Sequence, residues 1–295
     1  RAELVARMDS DDISCPGRLA NQLHYMKEHL HTNVVGTNCI VFSDLSMNGI
    51  DTNLNPGAAI LHLPHSDSNT AHKVIRSSIG PTEPGFAAWA MMFSCVIAHP
   101  SVMFRKSKIM EIGKYKENYC ATEDYDLWLR LTTQDVRSLC SLPRTGVFHR
   151  KHSSRSNSDT RKLRQREESI RLSRQAMIKY TTETHKEPSF ETVEMLKYPN
   201  DTSLYCLDES AKLLHALEKG FIEKHGKDLS KNEINLIKID CCERTGELAT
   251  LAIRGYGRNA VNGFAWKLWC RSCPDRQMER IALLCHGMST AKTTK

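Results

Sequence analysis

Apolar residues fall in short continuous or alternating runs over the first half of the chain and at three- and four-residue spacing over most of the second. That contrast predicts two differently built parts, a strand-and-helix part followed by a helical one. Leu4-Val5-Ala6 reads as a strand that runs straight into the acids Asp9, Asp11 and Asp12. Pro16 suits a first helical turn, and Leu19, Leu23, Met26 and Leu30 follow at helical spacing, predicting an amphipathic helix that lays this face on a sheet. Residues 34–42 are β-branched and apolar and predict a strand, then a polar loop or hairpin to about residue 55 and a lid or insertion over 62–84. The apolar run 86–97 fits a helix or a buried strand, with helix preferred. Residues 99–105 predict a short strand after Pro100, and a helix from about Ser107 that stops at Gly113. The next helix has Thr122 to cap it, Glu123 and Asp124 in its first turn, and Leu127, Trp128 and Leu131 toward the core. A short strand near 138–142 precedes Gly146-Val147-Phe148-His149-Arg150-Lys151-His152.

From about Ser153 the chain turns Ser/Arg-rich, which marks a boundary. Beyond it, 163–182, 203–225 and 231–254 carry helical spacing, with a turn over 188–201 and no internal repeat. The expected organisation is an α/β layered domain over 1–158 with a mixed sheet, and an α-helical C-terminal region over 159–295.

Composition narrows the class. With 40% hydrophobic and 25% charged residues, the 295-residue chain is neither fibrous nor disordered, and its apolar runs are too short to span a membrane. It opens at Arg1 within a strand, so it is expected to be a fragment whose localisation has no signal to read. Eleven scattered cysteines, several in apolar stretches (Cys39, Cys95, Cys140), suit reduced buried thiols and hence the cytoplasm or the cytoplasmic face of a membrane. Cys270 and Cys273 form one C-x2-C with the Cys241-Cys242 pair upstream; without a second C-x2-C, zinc is not the favoured reading. The net charge of +7 is concentrated between Arg144 and Arg174. Nucleic-acid binding through that run is one alternative, but few aromatics are interleaved for base stacking, and a solvated helical face is the commoner meaning.

The candidate chemistry lies in two acidic stretches. On a strand end Asp9 and Asp11 project from the same side, and carboxylates held that close repel one another unless a cation neutralises them. A hard divalent ion, Mg2+ or Mn2+, takes oxygen ligands and shares its coordination with substrate phosphates. The competing interpretation is an acidic turn in which Asp12 or Ser14 caps the next helix. Glu123 and Asp124 can likewise be simple helix-start anions, and Asp124 there would stay ionised. Both stretches are placed at strand carboxyl ends, where open α/β sheets bind ligands.

Ala6-Arg7-Met8-Asp9-Ser10-Asp11-Asp12-Ile13-Ser14, with Arg18-Leu19 and Gln22, resembles the D-x-D segment of family 2 glycosyltransferases. His99-Pro100-Ser101-Val102-Met103-Phe104-Arg105, Glu123-Asp124-Tyr125-Asp126-Leu127-Trp128-Leu129-Arg130-Leu131 and Arg150-x-His152 resemble the family's later blocks in the same order, so the resemblance covers roughly 1–158. It implies a GT-A (Rossmann-like) fold with helices on both faces of its sheet and with the nucleoside-binding half missing from the N-terminus. It also implies inverting, metal-assisted transfer of a sugar from a nucleotide-sugar donor, a UDP-sugar, to the hydroxyl of a glycan, lipid or protein acceptor. By the same resemblance Asp11 is the direct metal ligand with Asp9 nearer the nucleotide sugar, Asp12 lies behind them, and Asp124, paired with Glu123, is the catalytic base. His152 would reach the metal or diphosphate, with Arg150, or else Arg105, assisting the leaving group. The absence of a Q-x-x-R-W stretch and of membrane helices favours single-sugar transfer over polymer synthesis, and the fragment alone is expected to be inactive. The rival within the same fold is a non-catalytic glycosyltransferase-like binding module.

Overall fold

The computed structural model describes residues 2–43, 73–119, 121–151, 159–181, 187–199 and 204–260. The chain forms two compact units, Arg1–Ala176 and Met177–Lys295.

The first unit is built on a mixed six-stranded sheet. Its strands are β1 (Leu4–Ala6), β2 (Ile13–Ser14), β3 (Val34–Ser43), β4 (Lys73–Ser78), β5 (Met103–Arg105) and β6 (Leu139–Lys151). The order is β1-β5-β3-β6-β2, with β4 on β3 beyond β5. Only β3 and β6 are parallel; the other pairings are antiparallel. β3 is the centre because its two apolar runs are buried: Val34, Val35, Cys39, Ile40, Val41 and Phe42. β6 is far longer than the expected short strand near 138–142. Its register against β3 jumps from Leu142 to Thr145, so Pro143 and Arg144 form a bulge and the missing proline N–H interrupts no ladder bond.

Helix α1 (Arg18–Glu28) forms where expected but buries the other face. Leu19, Leu23 and Leu30 are exposed, whereas Arg18, Gln22 and Met26 are buried. The reason is the donor demand beneath it. Gln22 Nε2 donates to the carbonyls of Val35 and Ser101, both at 2.8 Å, and Arg18 Nη2 donates to Arg7 O at 2.7 Å. Buried carbonyls left without donors are more destabilising than exposed leucines. Met26 joins the core with Val35, Met103 and Cys140, and Tyr25 packs against that cluster.

Helix α2 (Pro84–Met91) takes only the first half of the ambiguous apolar run 86–97 as helix, with Pro84 in its first turn and six buried residues from Gly85 to Met91, while 92–97 leave the helix as turns and irregular chain. The strand β4 falls inside the expected insertion over 62–84, and the polar loop after β3 lies outside the described residues. A 3-10 turn (His99–Ser101) leads into β5 and then α3 (Lys106–Glu111), where Gly113 takes a left-handed φ of 89° that ends the helix. Helix α4 (Glu123–Gln134) has Thr122 at its cap position without a side-chain cap bond. Thr122 Oγ1 instead donates to Glu168 on α5 (Asp159–Ile178), at 2.9 Å. Along α5 the basic run is paired within the helix by Arg164–Glu168, Lys162–Asp159 and Arg171–Glu167, the pattern of a solvated face.

The second unit is helical. The expected turn over 188–201 contains a helix, α6 (Phe190–Lys197), started by Ser189, whose hydroxyl accepts the Thr192 N–H. α7 (Leu204–His225) and α8 (Lys231–Ala260) follow, and Ser230 with Glu233 forms a reciprocal capping box at the start of α8. Among the described residues no helix is long and apolar enough to cross a membrane. Burial holds three thiols protonated, with Cys15 and Cys140 pushed up to about 11 and Cys39 to about 12. Cys95, expected to be buried, is exposed.

Candidate active site

The acids that end β1 do not lie on the strand. β1 stops at Ala6, and Asp9 to Asp12 turn back, with Asp12 N–H donating to Asp9 O at 3.3 Å. The expectation that Asp9 and Asp11 share a strand face is therefore replaced by a turn, and it is Asp12 that points inward. Its side chain is fully buried. His149 Nδ1 lies 3.0 and 3.1 Å from its two oxygens, and the Arg150 main-chain N–H donates to Oδ1 at 2.9 Å.

Sheet register makes this possible. β2 pairs Ile13 with Phe148, and β6 pairs His149 with Val41 and Arg150 with Phe42, so residue 12 meets residues 149 and 150. Gly146 permits the approach: a Cβ there would stand 2.2 Å from Thr37 Oγ1 and 2.8 Å from Thr37 Cβ.

One ligand atom each from Asp9, Asp12 and His149 lies within 4.8 Å of the others. Two carboxylates and an imidazole suit a divalent ion such as Mn2+ or Mg2+, and His149 bonded to Asp12 fixes that carboxylate. Among the described residues Asp11 is not a member of this group. It enters through its carbonyl, which accepts from Arg150 Nε at 3.2 Å, while the Arg150 guanidinium lies 5.0 Å over the Phe42 ring. His152 lies outside the described residues.

Arg7 ties this cluster to the second acidic stretch. Its Nη2 pairs with Asp9 at 2.6 Å, and its Nη1 is buried without a partner. The same guanidinium acts electrostatically on His99, Tyr115 and Asp124. Asp124 opens α4 with its Oδ2 3.9 Å from His99 Nδ1, and its Oδ1 accepts the Tyr125 N–H at 2.7 Å. Burial, reinforced by the neighbouring Glu123, raises the Asp124 carboxyl to about 6, despite that N–H and Arg7 pulling downward. The helix start does not by itself keep this acid ionised; burial moves it close to neutral pH. Glu123 Oε2 is buried without a hydrogen-bond partner. The third acid of the turn, Asp126, has the structural part, in a pair with Arg130 at 2.7 Å.

His99 backs Asp124. Its Nε2 is 3.0 Å from Tyr115 Oη, and Trp128 meets its ring edge-on at 6.2 Å. Burial, with Arg7 adding to it, lowers His99 to about 4, so the ring is neutral at pH 7. Tyr125 fixes the helix, with its Oη donating to Met91 O at 2.7 Å and lying 2.8 Å from Ser173 Oγ.

No family model matches the chain. It is 25% identical to the bifunctional glycosyltransferase pgtA of Dictyostelium discoideum, over 94% of this chain and 38% of that protein. It is 31% identical to the O-antigen biosynthesis glycosyltransferase WbnJ of Escherichia coli, over 44% of this chain and 40% of that one. The amylovoran biosynthesis glycosyltransferase AmsE of Erwinia amylovora is also 31% identical, over 43% of this chain and 38% of its own length. The chain is similar to glycosyltransferases. It spans about two fifths of the length of these relatives, and the likeness to pgtA runs through both units.

Asp9 and Asp124, both chosen from the sequence, thus fall under the field of one arginine. His149, Arg7 and His99 were not chosen as site residues, although Arg7 and His99 stand within blocks quoted for the resemblance and His149 immediately precedes one. The signal passed over was Phe148-His149-Arg150, whose histidine lies three positions before His152.

Proposed function

We propose that this chain carries the catalytic machinery of a GT-A-type, family 2-like glycosyltransferase that transfers a single sugar from a UDP-sugar to an acceptor hydroxyl with inversion. The observation behind this reading is the half-buried Asp124 carboxyl, raised to about 6, which shares the field of Arg7 with the Asp9–Asp12–His149 cluster in a chain similar to glycosyltransferases. A carboxylate with that pKa is ionised at neutral pH yet basic enough to accept a proton. In the proposed reaction Asp124 takes the acceptor hydroxyl proton while the oxygen attacks the anomeric carbon. The bond from that carbon to the nucleotide diphosphate breaks on the opposite face, and its electron pair leaves with the diphosphate. A divalent ion, Mn2+ or Mg2+, when held by Asp9, Asp12 and His149, supplies charge neutralisation at the departing diphosphate. Neutral His99 and Tyr115 hold the Asp124 pocket without adding charge, and Arg150 and Arg7 offer guanidinium N–H groups to anionic oxygens. Asp11 remains a candidate ligand in the same turn.

The test is a screen of nucleotide sugars against the full-length protein, reading released nucleotide with and without chelator. Release from a UDP-sugar that stops with chelator and returns with Mn2+ or Mg2+ is the expected result. Release from no donor overturns the transferase reading; release indifferent to chelator overturns the metal.

A further inference from the structure

In the helical unit, α7 and α8 bring together three side chains of different donor chemistry. His215 and Glu218 stand one turn apart on α7, with His215 Nδ1 4.0 Å from Glu218 Oε2. Cys241 of α8 places its Sγ 3.8 Å from the same nitrogen. One ligand atom from each lies within 4.8 Å of the other two. The geometry is graded outward: Cys241 is fully buried, the Glu218 side chain is 23% exposed and that of His215 41%. A thiolate, an imidazole and a carboxylate are ligands that Zn2+ accepts together, and tetrahedral Zn2+ spaces such atoms about 3.4 to 3.6 Å apart, a few tenths less than observed.

We propose that His215, Glu218 and Cys241 form a zinc site that ties α7 to α8, with the outward fourth position taken by water. The site differs from the zinc arrangement weighed on sequence, since it needs neither Cys242 nor the Cys270–Cys273 motif. Without a cation the thiol stays protonated, because burial and the adjacent Glu218 carboxylate both disfavour the thiolate. Metal uptake therefore replaces one proton: the S–H bond breaks, the proton leaves to solvent, and sulfur coordinates the ion. His215 presents the Nδ1 lone pair and keeps its proton on Nε2. Lys238, the nearby cation acting on Glu218, offsets only part of the negative charge a thiolate would add. The ligands come from two successive helices, so binding restrains how that pair packs.

The test strips the purified chain with chelator, titrates it with Co2+ as a spectroscopic stand-in, and then adds Zn2+. The expected result is a near-ultraviolet thiolate-to-cobalt charge-transfer band that saturates at one equivalent and is bleached by Zn2+. The band should vanish in Cys241→Ser and persist in the double variant Cys270→Ser/Cys273→Ser and in Asp12→Asn. His215→Gln and Glu218→Gln, at half-buried positions, should each weaken Co2+ binding by about tenfold or more, and they test the site even if Cys241→Ser does not fold. No band in the parent chain, a band surviving in Cys241→Ser, loss of the band in the Cys270/Cys273 variant alone, or unchanged affinity in both glutamine variants would overturn the site. None of these readouts passes through sugar transfer.

Discussion

Among single residues, the half-buried Asp124 and the buried Asp12 are carboxylates with opposite consequences. Asp124 has a raised pKa, about 6 against an ordinary 3.8, so the folded state binds its proton more tightly than the unfolded one. Folding stability from this group is therefore greatest at low pH and declines as pH rises from about 4 to beyond 6, where the desolvated anion must be held. The difference of about two pKa units corresponds to an order of 2 to 3 kcal/mol. Asp124→Asn should thus abolish turnover, by at least about a hundredfold, while sparing donor binding. Urea unfolding should show the variant more stable than the parent at pH 7.5 and nearly equal to it at pH 4. Parent turnover should rise with pH through a midpoint near 6. Unchanged activity removes Asp124 from the base role, and an Asn variant that is no more stable at pH 7.5 denies the desolvation. Asp12, in contrast, is satisfied by His149 and the Arg150 N–H, so Asp12→Ala strands buried donors. It should lower stability by about 2 to 4 kcal/mol in the same measurement. Asp9→Asn, whose partner Arg7 is partly exposed, should lower it by about 1 kcal/mol or less, although both variants should lose the metal response.

Elements set how the site residues meet, and β6 carries most of that task. Its bulge at Pro143 and Arg144 corrects the register so that His149 and Arg150 reach the Asp12 turn, and Gly146 lies where β6 presses on Thr37. Gly146→Ala should lower stability by about 1 to 3 kcal/mol by overpacking. Because Cys15 N–H donates to Gly146 O, the shift should also disturb the neighbouring turn, read as a changed His149 ring signal by NMR. A variant with parent stability and an unshifted His149 would show that the strand pair has slack here. The same elements show what a sequence reveals. The core strand β3 and the helices α2 and α4 were legible because their apolar runs are long and point to one environment. The buried face of α1 was not, since period 3.6 locates two faces without saying which turns inward. That choice was made by carbonyls of Arg7, Val35 and Ser101, which come together only in the folded sheet. His149 was hidden for the same reason: its meeting with Asp12 depends on two strand registers rather than on any spacing.

At the scale of the whole molecule, the composition change near Ser153 was visible, but the compact units divide at Ala176/Met177, within the continuous helix α5. The part of that helix from Asp159 to Ala176 belongs to the site-bearing unit. Glu168 accepts from Thr122 at the cap position of α4, and Ser173 holds the Tyr125 hydroxyl, so α5 braces the turn that presents Asp124. Ile170 and Leu172 of the same helix are also buried. The sequence resemblance covers roughly 1–158; these contacts argue that the site also needs α5. A chain cut after residue 158 removes the Ser173 partner of the Tyr125 hydroxyl, the Glu168 partner of Thr122 and the buried side chains of Ile170 and Leu172. Burying two such aliphatic side chains is worth about 3 kcal/mol or more, before any hydrogen bond is counted. A chain ending at 176 should therefore unfold at clearly higher urea than one ending at 158, with a larger m-value. Hydrogen exchange should find the amides of α4 protected in the longer chain and fast in the shorter. Equal midpoints and equal α4 protection would show that the brace is dispensable and that the Asp124 turn is held by Met91 and the sheet.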